Sequence, residues 1–156
     1  EDAWGIASLV YEREGGDLDK RRSDAVGELA AIAGGAEDAL WVAEQEGEII
    51  AYARACYKRP TEERPLGDMP EAWILGGMIV SPAHRRLGIG EELVRVRIEW
   101  LKERTDVCYY VVSLQNRASI DLHSKLGFEE IKYDIAHPGV SFTGGVGVLY
   151  RLRLNA

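Results

Sequence analysis

At the start of the chain, apolar residues return every three or four positions, the spacing of one helix face. Over Ala3 to Arg13 that face is Trp4, Ala7 (or Ser8) and Tyr11, and Gly15-Gly16 ends the run. A second helix is predicted over Arg22 to Ala33, with Ala25 (or Val26), Leu29 and Ile32 (or Ala33) in step, stopped by Gly34-Gly35. The period then shortens. Leu40 to Gln45 and Glu48 to Tyr57 are rich in strand formers, and Glu46-Gly47 between them suits a hairpin turn. Lys58 to Pro70 holds three prolines and few apolar residues, so it is predicted as a loop. Ala72 to Val80 is almost wholly apolar, as a central strand buried on both faces would be, and Pro82 stops it.

Helical period returns from Ile89 to Glu103, where Ile89, Leu93, Val96 (or Val94) and Trp100 (or Leu101) share a face. Val107 to Leu114 is predicted as a buried strand, and Arg117 to Leu126 as a short helix ended by Gly127 in a left-handed conformation, with Phe128 folding back over it. Ile131 to Ala136 and Val146 to Leu154 complete the pattern as strands. In the last, Val146, Val148, Tyr150, Leu152 and Leu154 alternate with Gly147, Arg151 and Arg153, the mark of a half-buried antiparallel strand. The order α-α-β-β-β-α-β-α-β-β predicts a mixed α/β (α+β) sheet covered by helices, in one domain over residues 1–156. Handedness makes the strands at either end of the Ala72 to Leu114 unit parallel neighbours or near-neighbours.

Composition narrows the partners. A chain of 156 residues has material for one core. Its net charge of 19 − 26 = −7 argues against non-specific nucleic-acid binding, which needs basic surface to displace counterions. An acidic surface suits a cationic substrate and equally serves solubility. Cys56 and Cys108 each lie in an apolar, strand-like run and read as reduced, buried thiols. No apolar run is long enough to cross a membrane. The sequence starts at Glu1 rather than Met, so a leader or short segment before it is an open expectation. A cytoplasmic location is the default one.

The stretch Met78-Ile79-Val80-Ser81-Pro82-Ala83-His84-Arg85-Arg86-Leu87-Gly88-Ile89-Gly90-Glu91 carries the clearest chemistry. A buried strand ends, a short loop follows, and two glycines open a long helix. The first helical N–H groups have no intrahelical acceptor, and the helix dipole adds positive potential there. Glycine at 88 and 90 lets a diphosphate approach the backbone without meeting a Cβ. Arg85 and Arg86 add guanidinium groups that can fork onto phosphate oxygens. Taken alone, Gly-x-Gly at a helix start is a weak signal, and a tight turn beside a solvated basic pair would look the same. The dinucleotide fingerprint is excluded by the missing third glycine, and a P-loop by the missing Gly-Lys-Ser/Thr.

Arg85-x-x-Gly88-x-Gly90, after Val80-x-Pro82 and before Ile89-Gly90-x-x-Leu93, resembles the cofactor motif of the GNAT N-acetyltransferases. The family's second motif is matched by Asn116-x-x-Ser119-x-x-Leu122-His123-x-x-Leu126-Gly127-Phe128, one helix and one strand further on. The resemblance covers roughly Leu40 to Leu154, and the two leading helices fit it. It implies a mostly antiparallel GNAT-like sheet and acetyl-CoA as acyl donor. The cofactor contacts it implies are Ile79, Val80, Arg85, Arg86, Leu87, Gly88, Ile89, Gly90, Glu91, Asn116 and Ser119. The strand before the cofactor loop would splay from its neighbour and offer backbone groups to the pantetheine arm and to the thioester carbonyl. The acceptor would be an amine on a small molecule or peptide, with no nucleic acid and no membrane involved. Pairing of two copies through the last hairpin would fit the family.

Two departures shape the expectations. Where many relatives carry a tyrosine that protonates the leaving thiolate, this chain has His123. Its imidazole is a candidate acid, or else a group that packs beside the pantetheine arm. The family also starts with a strand before its first helix; that strand is expected to lie outside this sequence, the alternative being a sheet that has lost an edge. Glu71, just before the buried strand, is the candidate base, against an ordinary exposed carboxylate. Asp68, Glu62 and Glu63 stand in a loop long enough to serve as a lid and are candidates to attract a cationic amine. Trp73 and Tyr52 either wall an acceptor pocket or pack in the core. A non-catalytic acyl-CoA sensor is the alternative to an enzyme, and an acyltransferase acting on tRNA is a third reading that the acidic balance disfavours.

Overall fold

The computed structural model describes residues 2–155. Its elements follow the predicted order: α1 (Asp2–Glu14), α2 (Leu18–Ala33), β1 (Ala39–Gln45), β2 (Glu48–Lys58), β3 (Ala72–Val80), α3 (Ile89–Lys102), β4 (Val107–Ser113), α4 (Arg117–Lys125), β5 (Glu129–Tyr133) and β6 (Gly147–Arg153), with a single 3₁₀ turn at Pro82–His84. The six strands hydrogen-bond in the order β1-β2-β3-β4-β6-β5. β1–β2, β4–β6 and β5–β6 are antiparallel, and β3–β4 is parallel, pairing Ile74 with Tyr109. No helix among the described residues is long and apolar enough to cross a membrane.

The chain forms two compact units. The first is the chain up to Ala55 together with Gly76–Val96. Here β2 shows the period-2 division that a sheet covered on both faces requires. Tyr52 packs with Ile6 and Leu9 of α1, Ala25 of α2, Ile49 and Ile79, whereas Ala51 and Ala53 pack with Leu93 of α3 and, more loosely, with Trp41, Met78 and Val80. Burying an Ile or Leu side chain stabilises by about 1.5–3 kcal/mol, so each such cluster matters on the scale of total stability. α1 comes close to β2 because residue 5 is glycine: a Cβ there would lie 2.7 Å from the Ile49 Cβ. Asp17 caps α2 by accepting from the Lys20 amide at 2.8 Å, which starts that helix four residues before the predicted Arg22.

The second unit is Cys56–Leu75 with the chain from Arg97 onward. β4 alternates, with Cys108, Tyr110 and Val112 buried, and β6 pairs with it along its length, from Val107↔Arg153 to Ser113↔Gly147. Met69, Ile74, Ile135 and Leu149 form one core cluster. β5 begins two residues before the predicted Ile131 and ends at Tyr133, and every residue in it is exposed. Only one of its sides is paired, and a register shift between Glu130 and Lys132 gives Ile131 no partner in the ladder. The apolar residues of this edge strand therefore do not report a buried face.

Candidate active site

Within the first unit, the turn between β3 and α3 is held by backbone and arginine contacts. The Ser81 amide donates to the Ile50 carbonyl at 2.7 Å, and the His84 amide donates to the Ser81 carbonyl at 2.9 Å, which ties the end of β3 down. Arg85 turns its Nε back to donate to the Val80 carbonyl at 3.2 Å. Arg86 is left-handed (φ 61°), a conformation that costs a non-glycine residue about 1 kcal/mol or more, and Gly88 follows at φ 84°. The first i→i−4 bond of α3 runs from the Glu92 amide to the Gly88 carbonyl, so the amides of Ile89 and Gly90 have no acceptor inside the helix. A Cβ built on Gly88 would meet no atom within 4 Å. The space over that amide is open on the protein side, and Arg85, Arg86, Leu87 and Gly88 around it are all exposed. This cationic, amide-lined opening fits a diphosphate.

A feature of β3 was not anticipated. A Cβ on Gly76 would lie 3.3 Å from the Arg54 Cβ, and one on Gly77 would lie 3.7 Å from an Arg54 guanidinium nitrogen and 3.9 Å from the Tyr52 hydroxyl. Two consecutive residues thus point to the same face, the one shared by Tyr52 and Arg54. A regular strand would alternate them, so Gly76-Gly77 forms a bulge, after which Met78, Ile79 and Val80 alternate again. The signal was present in the sequence as a glycine pair inside an apolar strand. Gly77 is exposed in the middle of this strand. Four residues, about 13 Å at the usual rise, separate it from Ser81 and the turn.

Around the bulge lie Tyr52, Arg54 bonded to Glu28 at 3.1 Å, and Arg13, which donates to the Met78 carbonyl at 3.2 Å. Burial raises the Tyr52 phenol, Arg54 opposes that shift, and Glu28 adds to it, so the hydroxyl keeps its proton well above neutrality.

His123 belongs to the second unit. It is 2% exposed. The ring stacks on Tyr110, centroid to centroid at 3.6 Å, and meets Phe128 edge-on at 5.2 Å. Its Nδ1 lies 2.8 Å from the Ser119 carbonyl, an acceptor only, so Nδ1 carries the proton and donates it. Nε2 then carries the lone pair, buried and without a hydrogen-bond partner. Desolvation holds the imidazole down to about 4, against the raising effect of the Ser119 bond and with a further lowering from Arg97. An imidazole in this state is neutral near pH 7 and has no proton to give from Nε2, a physical obstacle to the acid role expected of it.

The other predicted residues fall as follows. Ile79 is buried and Val80 half-buried, both on β3. Asn116 caps α4 by accepting from the Ser119 amide at 3.3 Å, and the Ser119 hydroxyl bonds the Tyr110 hydroxyl, so both polar groups have local partners. Glu91 is half-buried and pairs with Arg95 at 3.3 Å. Glu71 is exposed, one residue ahead of β3. Glu71, His123, Asn116 and Ser119 belong to the second unit and the turn to the first.

Asp68 is no free attractor for amines: its carboxylate takes Lys132 at 2.6 Å and the Ala136 amide at 2.6 Å, and these bonds hold its pKa low. With the Asp68 amide donating to the Ala136 carbonyl at 2.8 Å, the loop after β2 is clasped to the segment after β5. Trp73 sits between Tyr57 and Trp100, edge to face at 5.6 and 5.3 Å. Arg97, on the α3 face expected to be apolar, is fully buried, and desolvation lowers it to about 10, so it stays charged.

The model of the Acetyltransferase (GNAT) family matches residues 6–128. An N-alpha-acetyltransferase of Sulfurisphaera tokodaii is 33% identical over 104 residues, 62% of this chain, and the chain spans only 59% of that relative's length. Among solved structures, the ribosomal-protein-alanine N-acetyltransferase of Brucella melitensis superposes with a TM-score of 0.66 at 25% identity, covering 98% of this chain and 88% of that one. The yncA structure of Salmonella typhimurium, which holds acetyl-CoA, gives 0.71 at 22% identity over 99% and 89%.

Proposed function

The chain belongs to the acetyltransferase (GNAT) family, and from that premise we propose that it transfers the acetyl group of acetyl-CoA to a primary amine. The observation that carries the reading is the turn at the head of α3. Left-handed Arg86 and Gly88, the open space over residue 88, and the amides of Ile89 and Gly90 together make a diphosphate cradle. The N-acetyltransferase relatives and the acetyl-CoA held by the Salmonella structure support the same co-substrate.

On this reading acetyl-CoA supplies an activated thioester carbonyl. The neutral amine attacks its carbon, the carbon–sulfur bond breaks, and the nitrogen's surplus proton leaves to water. The exposed strand backbone at Gly77 offers fixed dipoles that would stabilise charge developing on the carbonyl oxygen. Glu71, exposed one residue ahead of β3, remains the candidate base. His123 serves as packing that fixes Tyr110 and Phe128, and the leaving thiolate takes its proton from solvent.

Two measurements test this. CoA should raise the melting temperature of the protein, and Gly88→Val, which itself starts from a lower melting temperature because residue 88 has φ +84°, should show no rise on adding CoA. Absence of stabilisation by CoA in the native chain would overturn the cradle. A non-catalytic acyl-CoA sensor is favoured by one observation, the neutral, buried His123 at the position expected to supply the acid. Stabilisation by CoA with no thiol release against any amine would select it.

A further inference from the structure

The peptide unit that joins Val80 to Ser81 is held at both ends. Its N–H donates to the Ile50 carbonyl of β2 at 2.7 Å. No peptide bond among the described residues is cis. In a trans unit the C=O points opposite to the N–H, so the Val80 carbonyl faces away from β2. Among the described residues, the ladder on that edge pairs Ile74 with Tyr109 of β4 and does not reach Val80. Arg85 takes the acceptor instead, its Nε donating at 3.2 Å. Nε is the innermost nitrogen of the side chain, so this bond lays the Arg85 stem back along the end of the strand.

Arg86 is placed differently. It is exposed, and among the described residues it has no hydrogen bond, ion pair or ring contact. Its φ is 61°, a left-handed conformation that glycine adopts readily and arginine does not. No polar contact of its own side chain offsets that cost.

Resting on the acyl-CoA reading above, we propose that the two neighbouring arginines have separate tasks. Arg86 is the side chain that takes the donor's diphosphate. Arg85 is a positioning residue that acts through the Val80 carbonyl, fixing the end of β3 from which the turn leads to the amides of Ile89 and Gly90.

The chemistry of the two contacts separates them. An exposed guanidinium with its N–H groups unspent can fork onto two phosphate oxygens, and such charge-assisted bonds are about twice as strong as neutral ones. The Arg85 contact needs one N–H donor at a fixed place, and its acceptor is a neutral carbonyl. Glutamine carries its amide nitrogen on Cδ, where arginine carries Nε, so it supplies that donor without the charge. The same substitution therefore has different consequences at adjacent positions.

The test titrates the native chain, Arg85→Gln, Arg85→Met and Arg86→Gln with inorganic pyrophosphate and with CoA in a calorimeter. Arg86→Gln should weaken both ligands about tenfold or more, the scale of a lost charge-assisted bond. Arg85→Met should weaken CoA about threefold to tenfold, the scale of one neutral hydrogen bond, and Arg85→Gln should restore affinity to within about twofold of native. The native protein gives a readout without substitution: pyrophosphate should move the side-chain Nε resonance of Arg86 and leave that of Arg85 in place. Equal losses in Arg85→Gln and Arg86→Gln overturn the proposal, as does undiminished binding in Arg86→Gln. An Arg85 resonance that follows pyrophosphate overturns it too. If the binding pattern holds while no amine releases thiol from acetyl-CoA, the acyltransferase reading fails and the assignment of the two arginines stands. Thiol release without that pattern keeps the acyltransferase reading and removes the assignment.

Discussion

Acidification is the perturbation for which the structure gives a size. His123 is held neutral, with its imidazole lowered from 6.5 to about 4 chiefly by burial. In the unfolded chain the same group takes up a proton near 6.5. Between those values the unfolded state binds more protons than the folded one, so stability rises with pH across this window. The contribution is fully present above about pH 6.5, shrinks as pH falls, and is gone below about 4. At pH 5 the unfolded imidazole is almost wholly charged and the folded one about a tenth so, which costs about 2 kcal/mol; below pH 4 the cost approaches 3 kcal/mol.

Urea denaturation followed by tryptophan fluorescence at pH 7.5 and pH 5 reads this directly. His137 is also lowered, by desolvation and then by Lys58, so it adds a trend of the same sign. The comparison is therefore with His123→Phe, which keeps a ring against Tyr110 and removes the titration. The variant loses the bond to Ser119, about 1 kcal/mol at either pH, and its loss of stability between pH 7.5 and 5 should be smaller than the native protein's by about 2 kcal/mol. Identical pH dependence in the two proteins would refute the argument, and so would an imidazole titrating near 6.5 in the folded state by NMR.

Other expectations follow from the same contacts. Gly67 has φ +61°, and a Cβ there would lie 2.5 Å from the Ala136 carbonyl oxygen and 2.6 Å from Pro138 Cδ, so Gly67→Ala should destabilise by about 2 kcal/mol or more in urea melts. Asp68→Ala removes the carboxylate that joins Lys132 and the Ala136 amide, and limited proteolysis should then cut between residues 59 and 71 faster than in the native protein. Arg97→Met replaces a fully buried charge by an apolar chain of similar length; it should fold, whereas Arg97→Ala should lose about 3 kcal/mol or more through the cavity and the groups left behind.

The element order was legible because periodicity and its breakers are local properties. Gly34-Gly35, Pro82 and Gly127 mark boundaries with chemistry carried by the residue itself, whereas α2 starts at Leu18 behind its Asp17 cap and not at the predicted Arg22. What escaped the pattern depended on partners distant in sequence. β5 was placed two residues late because its extent is set by pairing with β6, not by its own exposed side chains. The loop predicted over Lys58 to Pro70, of a length that can serve as a lid, is clasped through Asp68 to Ala136, 68 residues away. Arg97 was invisible as a core residue because helical spacing assigns positions and not chemistry. In the candidate site, the cradle at 85 to 90 was readable from glycines and arginines at a strand-to-helix junction. The approach of Gly76 and Gly77 to Arg54 and Tyr52 was not, since it depends on a neighbouring strand.

The central claim is acyl transfer from acetyl-CoA to an amine, and thiol release against a panel of primary amines tests it most directly. The account predicts amine-dependent release, with the acetylated amine recovered as product and both lost in Gly88→Val. Release that proceeds equally without amine, or none with any amine although CoA binds, would contradict it.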